Sequence, residues 1–132
     1  MKRTLILAAS LTALSLGSPA QGFSAPTSPT CDGKPATLVF PTTASSSSSI
    51  EGTDRDDVIV TGPGTEQIRG MGGNDTICSR GGNDTIFGGR GDDKLIGGTG
   101  RDELAGRKGL DRALGGHGRD RCSAERERSC ER

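Results

Sequence analysis

Aliphatic residues return at every ninth position through the second half of the chain: Ile59, Ile68, Ile77, Ile86, Leu95 and Leu104, with Ala113 and Cys122 continuing the series. Two residues before each stands Asp57, Glu66, Asp75, Asp84, Asp93, Asp102, Asp111 or Asp120. A helix repeats its face about every 3.6 residues and a strand every two, so neither element alone requires a rhythm of nine. The frame runs without a gap from Gly52 to Ser123, in units such as SRGGNDTIF and GGRGDDKLI. The acid is at position six and the aliphatic at position eight. Position four is Gly in every unit but the first, which has Arg55.

Six residues of the type GGxGxD predict a turn, because glycine supplies positive φ and close backbone approach. The next three predict a short strand whose middle residue points inward. Turn, strand, turn, strand closes one coil of two units. The expected fold class is therefore all-β: a short parallel β-roll (β-solenoid) of about four coils, each rising about 4.8 Å, with a flexible N-terminal segment. Alternate units stack on the same side. One column of acids is Asp57, Asp75, Asp93 and Asp111; the other is Glu66, Asp84, Asp102 and Asp120.

Composition sharpens this picture. The 132 residues suffice for one small domain. Aromatics are 2%, Trp and Tyr are absent and Gly numbers 22, so the hydrophobic core is lean and the backbone costly to order. Formal net charge is zero, which predicts no general attraction to nucleic acid. Carboxylates stacked about 5 Å apart repel one another. A hard dication between successive turns removes that repulsion, with turn carbonyls completing an oxygen shell suited to Ca2+ and, second, Mg2+. Zinc or copper would call for His or Cys, which the repeats scarcely contain. The expectation is a chain largely unfolded without metal that folds on binding it.

Outside the repeats the reading is simpler. Lys2 and Arg3, the apolar run 4–16 and Ser18-Pro19-Ala20 predict a signal peptide, 1–20, cleaved after Ala20. The run is short for a membrane span, so the product is expected to be secreted and extracellular. Residues 21–51 are rich in Ser, Thr and Pro, with a short strand over 36–40 and a flexible linker through Ser45 to Ser49. Residues 124–132 form a charged tail or cap. Four cysteines in a secreted chain predict two disulfides, in one of three pairings. Cys122 and Cys130 are close in sequence and suited to staple the tail, leaving Cys31 with Cys78.

The units resemble the RTX nonapeptide repeat, G-G-x-G-x-D-x-U-x, over residues 52–123; those starting at Gly88, Gly97 and Gly115 carry its residues at positions one, two, four and six. The resemblance implies a parallel β-roll that binds calcium in its turns through position-six carboxylates and turn carbonyls. The ligands carried over are Asp75, Asp84, Asp93, Asp102, Asp111 and Asp120. Unit one, with Thr53 and Arg55 in place of glycines, reads as a cap, and unit two carries Glu66. The chain looks like the small secreted stand-alone proteins that carry this repeat.

Other signals carry less. Arg90-Gly91-Asp92 spells an adhesion motif, but Gly91 is the glycine the frame requires. His117 has no second histidine to work with. Periodic carboxylates are unlike a glycosidase pair, which needs two different environments, and neither GxSxG nor a P-loop occurs. The expected function is non-enzymatic calcium binding. The alternative is an extracellular adhesion or surface-interaction module that calcium stiffens, with a cell-surface or glycan partner.

Overall fold

The protein is described here by a computed structural model, over residues 28–41, 47–128 and 130. The expected signal peptide lies outside the described residues. Every element among them is a strand. A hairpin of β1 (Thr30–Cys31) and β2 (Lys34–Pro35) precedes two parallel sheets. One sheet runs β12 (Arg121–Ser123), β10 (Glu103–Lys108), β8 (Thr85–Arg90), β6 (Thr65–Gly72), β4 (Ser47–Glu51). The other runs β13 (Arg126–Arg128), β11 (Arg112–Gly118), β9 (Lys94–Gly100), β7 (Thr76–Cys78), β5 (Val58–Thr61), β3 (Leu38–Phe40).

The chain alternates between the sheets, so it winds as a β-solenoid of about four turns, as the nine-residue period requires. The register is the coil length. Ile59 pairs with Ile77, Ile77 with Leu95 and Leu95 with Ala113 in one sheet; Ile68 pairs with Ile86, Ile86 with Leu104 and Leu104 with Cys122 in the other. These residues make one continuous core, with Ile50 added at its start. Parallel in-register stacking places like on like, so each aliphatic closes on the one a coil away and the core is a single file per sheet.

Apart from β7 and β12, the strands of the repeats are longer than the three residues expected. In β6, alternate residues Glu66, Ile68, Gly70 and Gly72 are buried while their neighbours face out. Positions six, eight and one thus share the inner face. The ladder continues through the glycines because each meets its equivalent one coil away, so the backbone groups remain paired.

The expected linker needs correction. Ser47–Glu51 is strand β4, paired residue for residue with Thr65 to Arg69. Ile50 stands nine residues before Ile59 and is buried. The serines lack the turn glycines of a unit, yet their backbone pairs as well as any other, and the buried Ile50 supplies the inward contact. Nor is the described part of the N-terminal segment free of the roll. Leu38 to Phe40 pair with Ile59 to Thr61, and Leu38 and Phe40 pack on the core. At the other end, β13 from the charged tail pairs with β11.

Both disulfides join the expected pairs, Cys122 with its near neighbour Cys130 and Cys31 with the remaining Cys78. Cys31 and Cys78 have Cα atoms 5.7 Å apart, Cys122 and Cys130 5.8 Å. The first fastens the hairpin to β7. A second small cluster gathers there, with Cys31, Val60 and Cys78 buried against Ala36, Val58 and Ile96. Lys94 adds an ion pair to Asp32, and Lys34 Nζ donates to Thr76 Oγ1 at 3.2 Å.

Candidate metal centre

Every aspartate at position six immediately precedes a strand, Glu66 is the second residue of β6, and all are buried ahead of the aliphatic two residues on. Asp75, Asp84, Asp93, Asp102, Asp111 and Asp120 are all buried, as are Asp57 and Glu66. The two columns read from the sequence are present, and each is a hydrogen-bonded ladder. The Asp57 N–H donates to Asp75 Oδ1, Asp75 N–H to Asp93 Oδ1 and Asp93 N–H to Asp111 Oδ1, each at 2.9 Å. In the other column Glu66 N–H donates to Asp84 Oδ1 at 2.8 Å, Asp84 to Asp102 at 2.9 Å and Asp102 to Asp120 at 3.0 Å. One oxygen of each carboxylate is thereby occupied by the coil before it.

The second oxygen is not. Oδ2 of Asp75, Asp84, Asp93, Asp102, Asp111 and Asp120, and Oε1 of Glu66, are buried without a hydrogen-bond partner. Near Asp84 the Ser79 hydroxyl sends its proton to the Gly97 carbonyl at 2.6 Å. Oδ2 of Asp75, Asp93, Asp102 and Asp111 sits over the position-one glycine of its own unit, whereas in the unit of Asp84 that position is the buried Ser79. A Cβ on Gly70, Gly88, Gly97 or Gly106 would come within 2.2–2.4 Å of the Oδ2 of Asp75, Asp93, Asp102 or Asp111. Position one is glycine there because the carboxylate fills the space a side chain would take.

Asp57 differs, as its unit's missing glycines foretold. Its Oδ2 accepts the Thr53 N–H at 2.7 Å and the Thr53 hydroxyl at 2.8 Å. The column ends are capped by residues that sequence reasoning missed. Thr37 Oγ1 accepts the Val58 N–H at 2.8 Å, and Glu125 Oε2 accepts the Asp111 N–H at 2.8 Å, where a further position-six Asp would sit. The only sequence signal for Glu125 is an acid fourteen residues after Asp111, and the β11–β13 register shortens to the same spacing.

A second, outer ladder runs at position five, which the frame had treated as variable. Asn74 N–H donates to Asp56 Oδ1 at 2.7 Å, Asp92 N–H to Asn74 Oδ1 at 2.8 Å and Leu110 N–H to Asp92 Oδ1 at 2.9 Å. On the other side Arg101 N–H donates to Asn83 Oδ1 at 2.9 Å. Asp92 of the Arg90-Gly91-Asp92 triplet is thus bonded into the outer, exposed ladder.

Burial sets the electrostatics. It pushes Asp75 and Asp84 up to about 7 and Asp93 up to about 6, and raises Asp102 and Asp111. The N–H donated to each Oδ1 opposes the shift, and repulsion from neighbouring acids adds to it. Repulsion along the column, taken from the sequence as the main cost, is the smaller cause; loss of hydration is the larger.

The donor set suits a hard cation. Among the described residues no three His, Cys, Asp or Glu side chains converge on one point, so an ion here would take one or two carboxylates and complete its shell from carbonyls. Six buried aspartate oxygens without donors are what such an ion would satisfy.

Parallel coils, inward acids and glycine-lined turns define the class: a β-roll of stacked nonapeptide units. The RTX calcium-binding nonapeptide repeat, a family unit of four copies, matches residues 46–77, 79–113 and 96–126. These matches cover more than half of the chain, which belongs to that family. No curated protein and no solved structure matches it.

Proposed function

We propose that the chain is a secreted, non-enzymatic calcium-binding protein, and that Asp75, Asp84, Asp93, Asp102, Asp111 and Asp120 hold Ca2+ in the stacked turns. The observation that carries this reading is the row of buried, donor-less Oδ2 atoms. Bound calcium would neutralise the carboxylates and supply the partner those oxygens lack. The chain's own residues do the rest. The N–H of each acid fixes the carboxylate one coil on, the position-one glycine leaves it room, and the aliphatic at position eight closes the coil beneath it. With so few large side chains inside, metal binding is coupled to folding.

Secretion is supported by the amino-terminal basic, apolar and small-residue pattern and by two disulfides. A chain of this kind stays loose where calcium is scarce and folds where it is abundant. Calorimetric titration of the chain without 1–20, paired with circular dichroism, tests the reading. Heat of calcium binding and a strand signal that chelator abolishes are expected. No heat, together with a strand signal indifferent to chelator, would overturn it.

A further inference from the structure

The outer face of the five-stranded sheet carries a trough unrelated to the acid columns. Its central strand is β8, flanked by β6 and β10. At position two of three successive coils stand Met71, Gly89 and Arg107, paired in register. Gly89 is the floor and the other two are walls, roughly 10 Å apart at two strand spacings. A hollow of about 310 Å³ lies towards Arg69 and Phe87, and a second of about 310 Å³ adjoins it towards Arg90 and Lys108. No acidic residue is among those lining either hollow.

The two walls occupy a conformation that suits glycine. Met71 has φ 82° and Arg107 φ 84°, where Gly89 between them has φ 129°. Side chains with a Cβ are disfavoured there, yet both walls carry one. Met71 is 46% exposed although it is a large apolar residue. The Arg107 guanidinium lies over the Phe87 ring, its Cζ 4.4 Å from the centroid. Arg107 is exposed, and the N–H edge of a guanidinium matches a planar carboxylate bidentately.

We infer that this trough binds an acidic oligosaccharide, with a uronate carboxylate on Arg107, further acidic groups towards Arg90 and Lys108, and a sugar face on Met71. Arg69 is ion-paired with Glu51 at 3.4 Å, and the remaining cations Arg90, Arg107 and Lys108 line the paired hollows with no acid beside them, which sets the sign of the ligand. An extended acidic peptide fits less well, because β8 has neighbours on both sides and offers no free edge for a peptide backbone. Single-stranded nucleic acid needs open aromatic faces; the ring here is covered, and the chain has three Phe and no Trp or Tyr.

The inference requires the folded roll and not an occupied turn, so its failure is separable from failure of the calcium reading. The test uses trigalacturonate as the probe, on protein shown by circular dichroism to be folded, with hexaglutamate and a neutral trisaccharide alongside. Arg80 provides the control: it is exposed, has φ 69° at the same position of the repeat, and lies outside the trough. Arg107→Gly and Arg80→Gly remove the same charge and relieve the same strain. Arg107→Gly is expected to weaken trigalacturonate binding by about tenfold or more while Arg80→Gly leaves it unchanged, as loss of one charged, forked hydrogen-bonding group implies. Equal losses from the two variants, hexaglutamate binding as tightly as the sugar, or no binding by the folded wild type would overturn the assignment.

Discussion

At Asp93 one carboxylate oxygen is held by the Asp75 N–H and the other has no donor, whereas its neighbour Asp92 has Oδ1 bonded to Leu110 N–H. The two adjacent acids therefore do different work, and a pair of single-atom changes separates them. Asp93→Asn keeps Oδ1 as an acceptor but loses the charge, and is expected to weaken calcium binding by about tenfold or more, or ~1.4 kcal/mol. Asp92→Asn puts at position five the residue that already serves there as Asn74 and Asn83, so calcium titration should give a near wild-type isotherm. Equal effects would mean that the inner and outer ladders are misassigned. The inner acids were legible in the sequence because they never miss a beat of nine. The outer ladder was not, because Asp56, Asn74 and Asp92 share position five with Thr65, Arg101, Leu110 and Arg119, and only the backbone spacing shows that an Asx oxygen there reaches the next coil.

Among the elements, coil length, strand register and the two acid columns followed from the period, because stacking at fixed register is the only way to bury one aliphatic in nine. Strand β4 did not, because its serines carry no turn signal, although Ile50 keeps the beat. Ile50→Ala should cost about 2–4 kcal/mol in urea denaturation, as expected for truncating a buried aliphatic; a neutral result would return 47–51 to the status of a linker. The acid columns also set how the metal-free sheets respond to pH. Burial raises Asp75 and Asp84 to about 7 and Asp93 to about 6, so between about pH 4 and those values the folded chain holds protons the unfolded chain has lost. This stability is present in full below about pH 4 and lost as pH rises through about 6 to 7. The chelator-treated chain should thus keep more residual strand signal in circular dichroism at about pH 5 than at about pH 8. Added calcium should reverse that order and release protons as it binds.

For the molecule as a whole, few large side chains face inward and two covalent links supplement them. The Cys31–Cys78 bridge closes 47 residues of chain, and a loop of that size is worth roughly 4 kcal/mol through the unfolded state. The Cys31→Ala/Cys78→Ala variant should therefore unfold at lower urea while retaining its strand signal in calcium. Loss of that signal would mean that the hairpin cluster is required to form the roll at all. The inner ladders also have a direction: each coil's acid donates its N–H forward, to a carboxylate that comes later in the chain. A polypeptide emerging amino end first would always have its newest turn waiting on residues still to come. In the file from Asp57 to Asp111 that wait ends only with Glu125, so a chain cut short of it would keep its early windings and fray at the last one.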